Sequence, residues 1–449
     1  MRLSRATLSR VAPDARPLAE PRATGVVHLG IGAFHRAHQA VYTELAMAAT
    51  GDDRWGICGA GQRSSAVADL LRPQDCLYGV RAGDGVRVIG SVREVLVPGD
   101  DLTARLAAPQ TAVVTLTITE KGYRSVSGPS TAIGRLVAGL RARAAADAGP
   151  LTVISCDNLP GNGATLAALV TELCEPPLLK WVEQNVTFPA SMVDRIVPAT
   201  TPADLDDMEA RLGLRDLGAV VTEPFTQWVI EDDFAGDRPA WDRAGALLVG
   251  DVLPYERMKL RLLNGSHSAI AYLSGAEHVS EAVGDAAFAG YLRGLMDEDL
   301  TPTLHGLGTF DLAGYKRSLL ARFANPGLRH RVAQIAADGS QKLPQRLLDP
   351  ARERLAAGHE PRWIALAVAG WMRYVTTASE LDDPLADRLT GDPDAGAEAT
   401  VERLLAIEEV FGADLREDRV FRELVTDGLR RLTADGLTSI LRTFDAWRG

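Results

Sequence analysis

The sequence has no long hydrophobic run and no excess of positive charge. Across its 449 residues, no apolar stretch approaches the roughly 20 residues that a membrane-spanning helix needs, so we expect no membrane segment. The N-terminus carries charged residues but no apolar core, which predicts that no secretory signal is present and that the protein is cytoplasmic. A net charge of −11 argues against nucleic acid or an anionic membrane as the main partner.

The sequence also lacks the spacings that bind metal ions. No two of its four cysteines form a C-x-x-C pair, and no two of its eight histidines form an H-x-x-x-H pair. His35 and His38 are three positions apart, but no nearby acid completes a metal site. We therefore expect free thiols and no metal, which excludes a zinc-dependent alcohol dehydrogenase. The cysteines are Cys58, Cys76, Cys156 and Cys174.

A glycine turn follows the first apolar run of the chain, Gly25–Leu29. Gly30 and Gly32 match the first two positions of the dinucleotide-binding fingerprint G-x-G-x-x-G, whereas His35 occupies the third. A helix that starts after this turn would stabilise a pyrophosphate. The candidate cofactor contacts here are Gly30, Gly32, Phe34 and Arg36. An ordinary strand-to-helix turn has the same pattern and remains an alternative.

The second apolar run, Trp55–Gly61, ends without an acidic residue. Fingerprint proteins that prefer NAD usually have Asp or Glu at this point, where it binds the ribose hydroxyls. Here Arg63 and Ser64 follow instead, and these residue types suit the 2′-phosphate of NADP. The segment is equally compatible with an ordinary surface loop, so the choice between NAD and NADP stays open.

Further strand-like runs alternate with helical patterns, which predicts an α/β fold with a parallel sheet. They are Val86–Ile89, Ala112–Ile118 and Leu151–Ser155. Polar clusters follow the last two runs, and ligands of open α/β sheets bind beyond the carboxyl ends of the strands. Glu120 and Asn158 are therefore candidate site residues, although both clusters also suit turns. From residue 254 onward the pattern is mainly helical, so we predict a dinucleotide-binding domain at 1–250 and a helical substrate domain at 251–449.

The stretch 255–271 has an apolar helical pattern with four polar residues on one side. At about 100° per residue, and with Lys259 at zero, Glu256 lies near 60°, His267 near 80° and Asn264 near 140°. An amine, a carboxylamide, an imidazole and a carboxylate therefore share one predicted helix face. A solvated helix face interrupted at Asn-Gly is the alternative.

This set of groups suits proton transfer at an alcohol carbon. A lysine acts as the base for a hydroxyl proton if burial and neighbouring groups lower its pKa. Asn264 would donate a hydrogen bond to developing oxyanion charge. His267 would bind the same oxygen, and Glu256 would pass the proton to water. Further along the chain, Arg331 and Lys342 are cations suited to an anionic or polyhydroxyl substrate.

Seven segments of the chain, taken in order, resemble the polyol-specific long-chain dehydrogenase family. They are HLGIGAFHRAHQAVYT, TLTITEKGY, SCDNLPGNG, MVDRIVP, EPFTQWVIED, MKLRLLNGSHS and DGSQKLPQRLLDP. The resemblance covers nearly the whole chain, and its central motif is K-x-x-x-x-N-x-x-H, here Lys259, Asn264 and His267. Mannitol 2-dehydrogenase and fructuronate reductase (mannonate oxidoreductase) are members of this family.

The resemblance implies a Rossmann-like domain followed by a mainly helical domain. It also implies that Lys259 is the general base and that Asn158 and Asn264 form an oxyanion hole. His267 would orient the substrate, and Glu256 would assist proton exchange. Asp194 and Lys342 lie in segments that contact substrate hydroxyls in this family, and Arg331 is a looser match. The family is zinc-independent, generally uses NAD, and favours a monomer.

The second half of the chain is most similar to fructuronate reductase. The resemblance therefore implies interconversion of D-mannonate and D-fructuronate, with D-mannitol 2-dehydrogenase or D-arabinitol dehydrogenase as alternatives that share the mechanism. A uronate requires a cation for its carboxylate, and the available cations are Arg329, Arg331, Lys342, Arg346 and Arg373. A dinucleotide-binding sensor without catalysis is a more distant alternative.

Overall fold

The computed structural model describes residues 1–124, 128–328 and 330–443. By its internal contacts the chain separates into two compact units, Met1–Leu253 and Pro254–Gly449. None of the helices in the described residues combines the length and the apolar character that crossing a lipid bilayer requires.

The first unit contains all of the strands in the described residues, and its largest sheet has six of them. All neighbouring pairs in this sheet are parallel, in the order β5-β2-β1-β6-β7-β8. The fully buried runs of β1 and β7 are typical of a parallel sheet that is covered on both faces. The predicted α/β fold with a parallel sheet is confirmed. The strands of the unit are β1 (Thr24–Leu29), β2 (Gly56–Ala60), β3 (Tyr78–Ala82), β4 (Gly85–Ile89), β5 (Val92–Leu96), β6 (Val113–Leu116), β7 (Leu151–Ser155), β8 (Val186–Thr187), β9 (Ser191–Asp194), β10 (Val220–Thr222), β11 (Gln227–Glu231) and β12 (Leu247–Val249).

Two three-stranded sheets, β10-β3-β4 and β12-β11-β9, complete the strands of this unit. The expectation that Val86–Ile89 belongs to the parallel sheet is wrong, because β4 pairs antiparallel with β3. The pairing of Ala82 with Gly85 leaves only Gly83 and Asp84 to form the connection. A two-residue connection of this kind forms a hairpin, which prevents a parallel crossover.

In the described part of the first unit, nine α-helices connect these strands. They are α1 (Ala33–Ala37), α2 (Gln39–Thr50), α3 (Ala66–Leu71), α4 (Leu102–Leu106), α5 (Thr119–Arg124), α6 (Ala132–Ala145), α7 (Asn162–Glu172), α8 (Pro176–Asn185) and α9 (Pro202–Leu212). On one face of the parallel sheet, Val27, Leu116 and Val153 pack with Leu136 and Leu140 of α6. The other face packs on α2 through Ala40 and Met47.

Arg143 of α6 ties the ends of two helices together. Its side chain is buried, and its three nitrogens donate five hydrogen bonds of 2.9–3.1 Å to backbone carbonyls. A guanidinium supplies five donors in a planar fork, whereas an ammonium supplies three donors from one point. The acceptors are the carbonyls of Leu106, Ala108, Ala148, Gly149 and Pro150.

Substituting Arg143→Lys is therefore expected to lower the free energy of unfolding of the first unit by about 2 kcal/mol, because buried carbonyls lose their donors. Urea unfolding followed by circular dichroism would measure the change. Arg141→Lys is the matched control, since Arg141 lies on the same helix but its side chain is 55% exposed. Equal stability of the two variants would contradict the role of Arg143.

In the described residues of the second unit, helices joined by loops make up the secondary structure, apart from one isolated bridge between His278 and Arg331. The centre of the unit is α18, whose residues from Trp363 to Met372 are all buried and which packs against α11 and α22. The α-helices are α10 (Leu253–Met258, which begins at the boundary), α11 (Ser266–Leu273), α12 (Val279–Gly284), α13 (Ala286–Gly294), α14 (Leu312–Phe323), α15 (Val332–Ala336), α16 (Gly339–Leu343), α17 (Asp349–Ala356), α18 (Arg362–Thr377), α19 (Ala386–Leu389), α20 (Ala397–Leu405), α21 (Glu408–Glu417), α22 (Arg419–Ala434) and α23 (Gly436–Thr443).

Among the residues of the second unit that the structure describes, three segments are π-helical: Lys259–Gly265, Leu295–Leu300 and Pro344–Leu348. The first joins α10 to α11 without a break. The prediction of a regular α-helix over 255–271 is therefore wrong for Lys259–Gly265, and Asn-Gly does not interrupt the helix. The segment is held in place by the buried Arg261, which donates to Thr303 O (2.8 Å) and to both carboxylate oxygens of Glu353 (2.9 and 2.6 Å).

Candidate functional site

The glycine turn after β1 has one glycine that the fold requires and one that it does not. Gly30 has a φ of +106°, and a Cβ there would lie 2.0 Å from Thr117 O. Gly32 has an ordinary φ of −76° and is exposed, and a Cβ there would meet only Gly30 O at 3.7 Å. The open space over Gly32, directly before α1, therefore fits a ligand that approaches the backbone closely, as a pyrophosphate does.

His35, in place of the third fingerprint glycine, packs flat on a histidine of β1. The rings of His28 and His35 are 3.5 Å apart at 15°. His28 shares hydrogen bonds with Thr115 Oγ1 (2.7 Å) and Thr117 Oγ1 (2.8 Å), and Thr117 donates to Gly30 O (2.8 Å). Burial lowers the pKa of His28 to about 3, so its ring is neutral. A neutral network thus fixes the glycine turn to β6.

Phe34 and Arg36, two other candidates for cofactor binding, both contact the interior of the first unit. Phe34 is half-buried and stacks on His38, with ring centres 5.0 Å apart. Arg36 is buried and donates to Gly218 O and to Gly32 O. The structure therefore gives Arg36 a structural role, and its contact with a cofactor stays a prediction.

The end of β2 lies beside the glycine turn, since Gly30 N donates to Ala60 O (3.0 Å). Arg63 and Ser64 follow β2 and are both exposed. Arg135 of α6 donates to Gly61 O (3.1 Å), which brings a second guanidinium to this strand end. Arg63 is thus accessible beside the strand where the ribose of a dinucleotide is expected.

The ends of β6 and β7 are joined through Asp157. Leu116 pairs with Ser155 at the last position of both strands. Beyond it, the Asp157 carboxylate accepts hydrogen bonds from Ile118 N and Thr119 N, each 2.9 Å. The two strand ends that were predicted to carry Glu120 and Asn158 therefore lie together. Asn158 is exposed, and Glu120 is the second residue of α5, although its side chain lies outside the described part of the structure.

Asp194 is the last residue of β9, which belongs to the sheet β12-β11-β9. Asn158 lies in the loop after β7, a strand of the six-stranded sheet. Asp194 is buried, and it pairs with Gln227 of β11. Asn162 links the two regions, because its amide donates to Ser191 O of β9 (2.7 Å) and to Asp157 O (3.1 Å). Hydrogen bonds of Asn162 therefore connect the strand that ends at Asp194 to the loop that carries Asn158.

The four polar residues of the central helix lie in three differently wound segments. Glu256 is half-buried in α10, Lys259 is buried at the start of the π-helical segment, and Asn264 is half-buried near its end. A π-helix closes its hydrogen bonds from i to i+5. Lys259 and Asn264, which are five positions apart, therefore stand one π turn apart on the same face, closer in direction than an α-helix would place them.

His267 of α11 is buried between aromatic rings. Its ring centre lies 4.8 Å from that of Phe323 and 4.9 Å from that of His330. Burial, and then the charges of His330, Arg346 and Arg322, hold the pKa of His267 well below its usual range. The ring is therefore neutral, and among the described residues its Nε2 has no hydrogen-bond partner. It can donate or accept at a substrate oxygen.

Two arginines of the second unit act on His267. Arg346, in the π-helical segment Pro344–Leu348, donates to Ser268 Oγ (3.2 Å), next to His267 in α11. Arg322 lies beside Phe323 near the end of α14, and its side chain is buried. The surroundings of His267 are thus positively charged. Arg322 and His330 were not among the predicted site residues: the segment of Arg322 carries no motif, and His330 was passed over although it lies between the predicted cations Arg329 and Arg331.

The other predicted cations lie in different surroundings. Arg331 is exposed at the start of α15. Lys342 donates to the carbonyls of Ile335 and Ala337, so it holds the loop after α15. Arg373 donates to Leu432 O (3.2 Å) of α22, which indicates a packing role. Arg329 lies outside the described residues. Substrate contacts of Arg331 and Lys342 stay predictions.

Metal coordination has no candidate in the part of the chain that the structure describes. There, no group of three or more His, Cys, Asp or Glu side chains is arranged to hold an ion. Burial also raises the pKa of the thiols of Cys58 and Cys156 above its usual range, so both thiols are protonated near neutral pH.

The chain matches two family descriptions and several known proteins over nearly its full length. The descriptions are "Mannitol dehydrogenase Rossmann domain" at residues 24–243 and "Mannitol dehydrogenase C-terminal domain" at 251–433. The chain is 44% identical to the uncharacterised oxidoreductase YdfI of Escherichia coli K12, over 92% of this chain and 93% of that protein. It is 41% identical to D-mannonate oxidoreductase of the same organism, with the same coverage. A structure of Pseudomonas fluorescens mannitol 2-dehydrogenase with NAD and D-mannitol has 36% identity and a TM-score of 0.82, covering 99% of this chain and 100% of that one.

Proposed function

The chain belongs to the mannitol dehydrogenase family, and from that membership we propose that it is an NAD-dependent oxidoreductase that interconverts D-mannonate and D-fructuronate. The observation that carries the chemistry is the buried Lys259, which stands one π turn from Asn264 and precedes the neutral His267 of α11 on the same continuous helix. An amine, an amide and an uncharged imidazole on one helix are the groups that a reversible alcohol oxidation requires.

In the proposed mechanism, Lys259 takes the hydroxyl proton of the substrate during oxidation and returns it during reduction. Lys259 is buried, and an amine there would accept the proton in its free form and return it as the ammonium. Asn264 and Asn158 donate hydrogen bonds to the substrate oxygen, and His267 orients it. Glu256 lies three residues before Lys259, a spacing that makes helix residues neighbours, and it exchanges the proton with water.

NAD, when bound, supplies the acceptor for the hydride of the alcohol carbon. The open space at Gly32 and the start of α1 fit its pyrophosphate. NAD is present with D-mannitol in the related Pseudomonas fluorescens structure. The exposed Arg63, with no acid at the end of β2, supports additional use of NADP.

An acidic substrate is favoured by the charges around His267. Arg346 and Arg322 are close enough to lower the pKa of that ring. A guanidinium binds a carboxylate through charge-assisted hydrogen bonds. The identity to D-mannonate oxidoreductase, 41%, points in the same direction. Oxidation of D-mannitol is the second candidate, and the 36% identity to mannitol 2-dehydrogenase supports it.

Initial rates of NADH oxidation with D-fructuronate and with D-fructose test this proposal. We expect kcat/KM to be at least about tenfold higher for the uronate, because one charge-assisted hydrogen bond contributes about 1.5–3 kcal/mol. Arg346→Met is expected to remove most of this preference. Arg317→Met is the control, since Arg317 lies on α14 with a 73% exposed side chain.

Each outcome of this experiment decides between the candidates. Faster turnover of D-fructose would overturn the mannonate assignment in favour of mannitol. A preference for the uronate that survives Arg346→Met would show that the carboxylate binds elsewhere. Parallel assays with NADPH would measure whether the exposed arginine after β2 permits the phosphorylated cofactor.

A further inference from the structure

We propose that Asp157 is a positioning residue that holds the loop of Asn158 in its reactive place. Asp157 directly precedes Asn158 and follows the end of β7 by two positions. Its carboxylate accepts three hydrogen bonds from the neighbouring strand end and α5: from Ile118 N (2.9 Å), Thr119 N (2.9 Å) and Tyr123 OH (2.9 Å). The inference rests on the proposed function, because Asn158 acts there on the substrate oxygen.

A carboxylate at position 157 suits the three donors that surround it better than an amide would. Two of them are backbone N–H groups that bind different oxygens of Asp157, and the Tyr123 hydroxyl shares one of these oxygens. A carboxylate is an acceptor at both oxygens, whereas an amide is an acceptor at one atom and a donor at the other. In Asp157→Asn, the side-chain NH2 group would therefore take the place of one carboxylate oxygen. It would face a backbone N–H, so that two donors would meet where a hydrogen bond had been.

Thr119 shows that the carboxylate holds the neighbouring strand end in an uncommon conformation. Its φ is +63°, in the left-handed region that β-branched residues rarely adopt. Such a conformation persists where the surroundings over-determine it. Here Thr119 N is bound by Asp157 and α5 begins at Thr119 itself, so loss of the bond would let the strand end relax.

Asn162 fixes the same loop from its other side. This fully buried side chain donates to Ser155 O (3.3 Å), Asp157 O (3.1 Å) and Ser191 O (2.7 Å), and it accepts from Ser191 N (3.0 Å). The exposed Asn158 therefore lies in a short loop whose flanking residues are tied to two neighbouring strands. A catalytic amide needs such support, since a misplacement of 1 Å costs about 10²-fold in rate.

The experiment compares Asp157→Asn, Asn158→Ala and the double variant. We expect Asp157→Asn to lower kcat about 10- to 100-fold, less than Asn158→Ala, while the Kd for NADH measured by fluorescence changes less than about threefold. Because Asp157 acts through Asn158, adding Asp157→Asn to Asn158→Ala should lower kcat by less than about twofold more. If Asp157 had a merely structural role, Asp157→Asn would lower kcat by the same factor in the wild-type protein and in Asn158→Ala.

Asp204→Asn is the matched control. Asp204 also accepts from a backbone N–H, that of Thr201 at 2.9 Å, and from a hydroxyl, but it lies in the first turn of α9, half-buried and paired with Arg81. Its variant should keep wild-type kcat. A kcat of Asp157→Asn within twofold of wild type, or equal losses in both Asn158 backgrounds, would overturn the inference. Wild-type protein without turnover of either ketone would contradict the proposed function, and with it the role of Asp157.

Discussion

Replacing Lys259 by alanine is expected to lower kcat by about 10²- to 10⁴-fold, the usual contribution of general acid–base catalysis. Lys259 is the buried amine at the start of the π-helical segment, and in the proposed mechanism its removal would leave the hydroxyl proton of the substrate without a base. The glycine turn, where the cofactor is proposed to bind, belongs to the other unit. Binding of NADH should therefore remain, and steady-state kinetics together with NADH fluorescence titration would measure both properties.

Lys180→Ala provides the control, because Lys180 is an exposed lysine of α8. It should leave both kcat and the Kd for NADH unchanged. If Lys259→Ala kept a kcat within tenfold of wild type, the assignment of the base would be wrong. A loss of NADH binding in parallel with activity would instead indicate that the variant had disturbed the fold.

Replacing Gly32 by valine is expected to weaken NADH binding about 100-fold without a loss of stability. The space that a side chain would occupy is open in the protein, since a Cβ would meet only Gly30 O at 3.7 Å. In the proposed complex the pyrophosphate would occupy that space, and losing its backbone hydrogen bonds would cost about 3 kcal/mol. Fluorescence titration with NADH and thermal unfolding would measure the two effects separately.

Gly250→Val is the matched control, because Gly250 is also exposed and a Cβ there would meet nothing within 4 Å. It should change neither binding nor stability. Gly30→Val should behave in the opposite way to Gly32→Val and reduce stability, since its Cβ would collide with Thr117 O. Unchanged NADH affinity in Gly32→Val would contradict the binding of the dinucleotide at this turn.

Much of the architecture could be predicted from the order of residues. Apolar runs at β1, β2, β6 and β7, which alternate with helical patterns along the chain, predicted the parallel sheet, because buried strands and amphipathic helices have different repeats. The motif K-x-x-x-x-N-x-x-H, together with the other segments, predicted the family, and the two domain matches confirm it. The prediction of Val86–Ile89 failed because an isolated apolar run does not reveal its pairing partner.

The candidate site depended more strongly on tertiary contacts. In the sequence, Asp157 has the character of a turn residue. Its proposed role depends on the pairing of β6 with β7, because only that pairing brings its carboxylate to Ile118 N and Thr119 N. Likewise, Arg322 reaches His267 only through the packing of α14 near α11. Such contacts join segments that are distant along the chain, so they cannot be predicted from a local periodicity.

The central helix separates what the sequence determined from what the tertiary structure decided. The order of residues determined that Lys259, Asn264 and His267 follow one another on one apolar helical stretch. The winding of Lys259–Gly265 was decided by packing, since Arg261 is anchored to Glu353 and Thr303 from other segments of the second unit. Because a π turn closes at five residues, that packing aligns Lys259 with Asn264, which α-helical periodicity alone would have set apart.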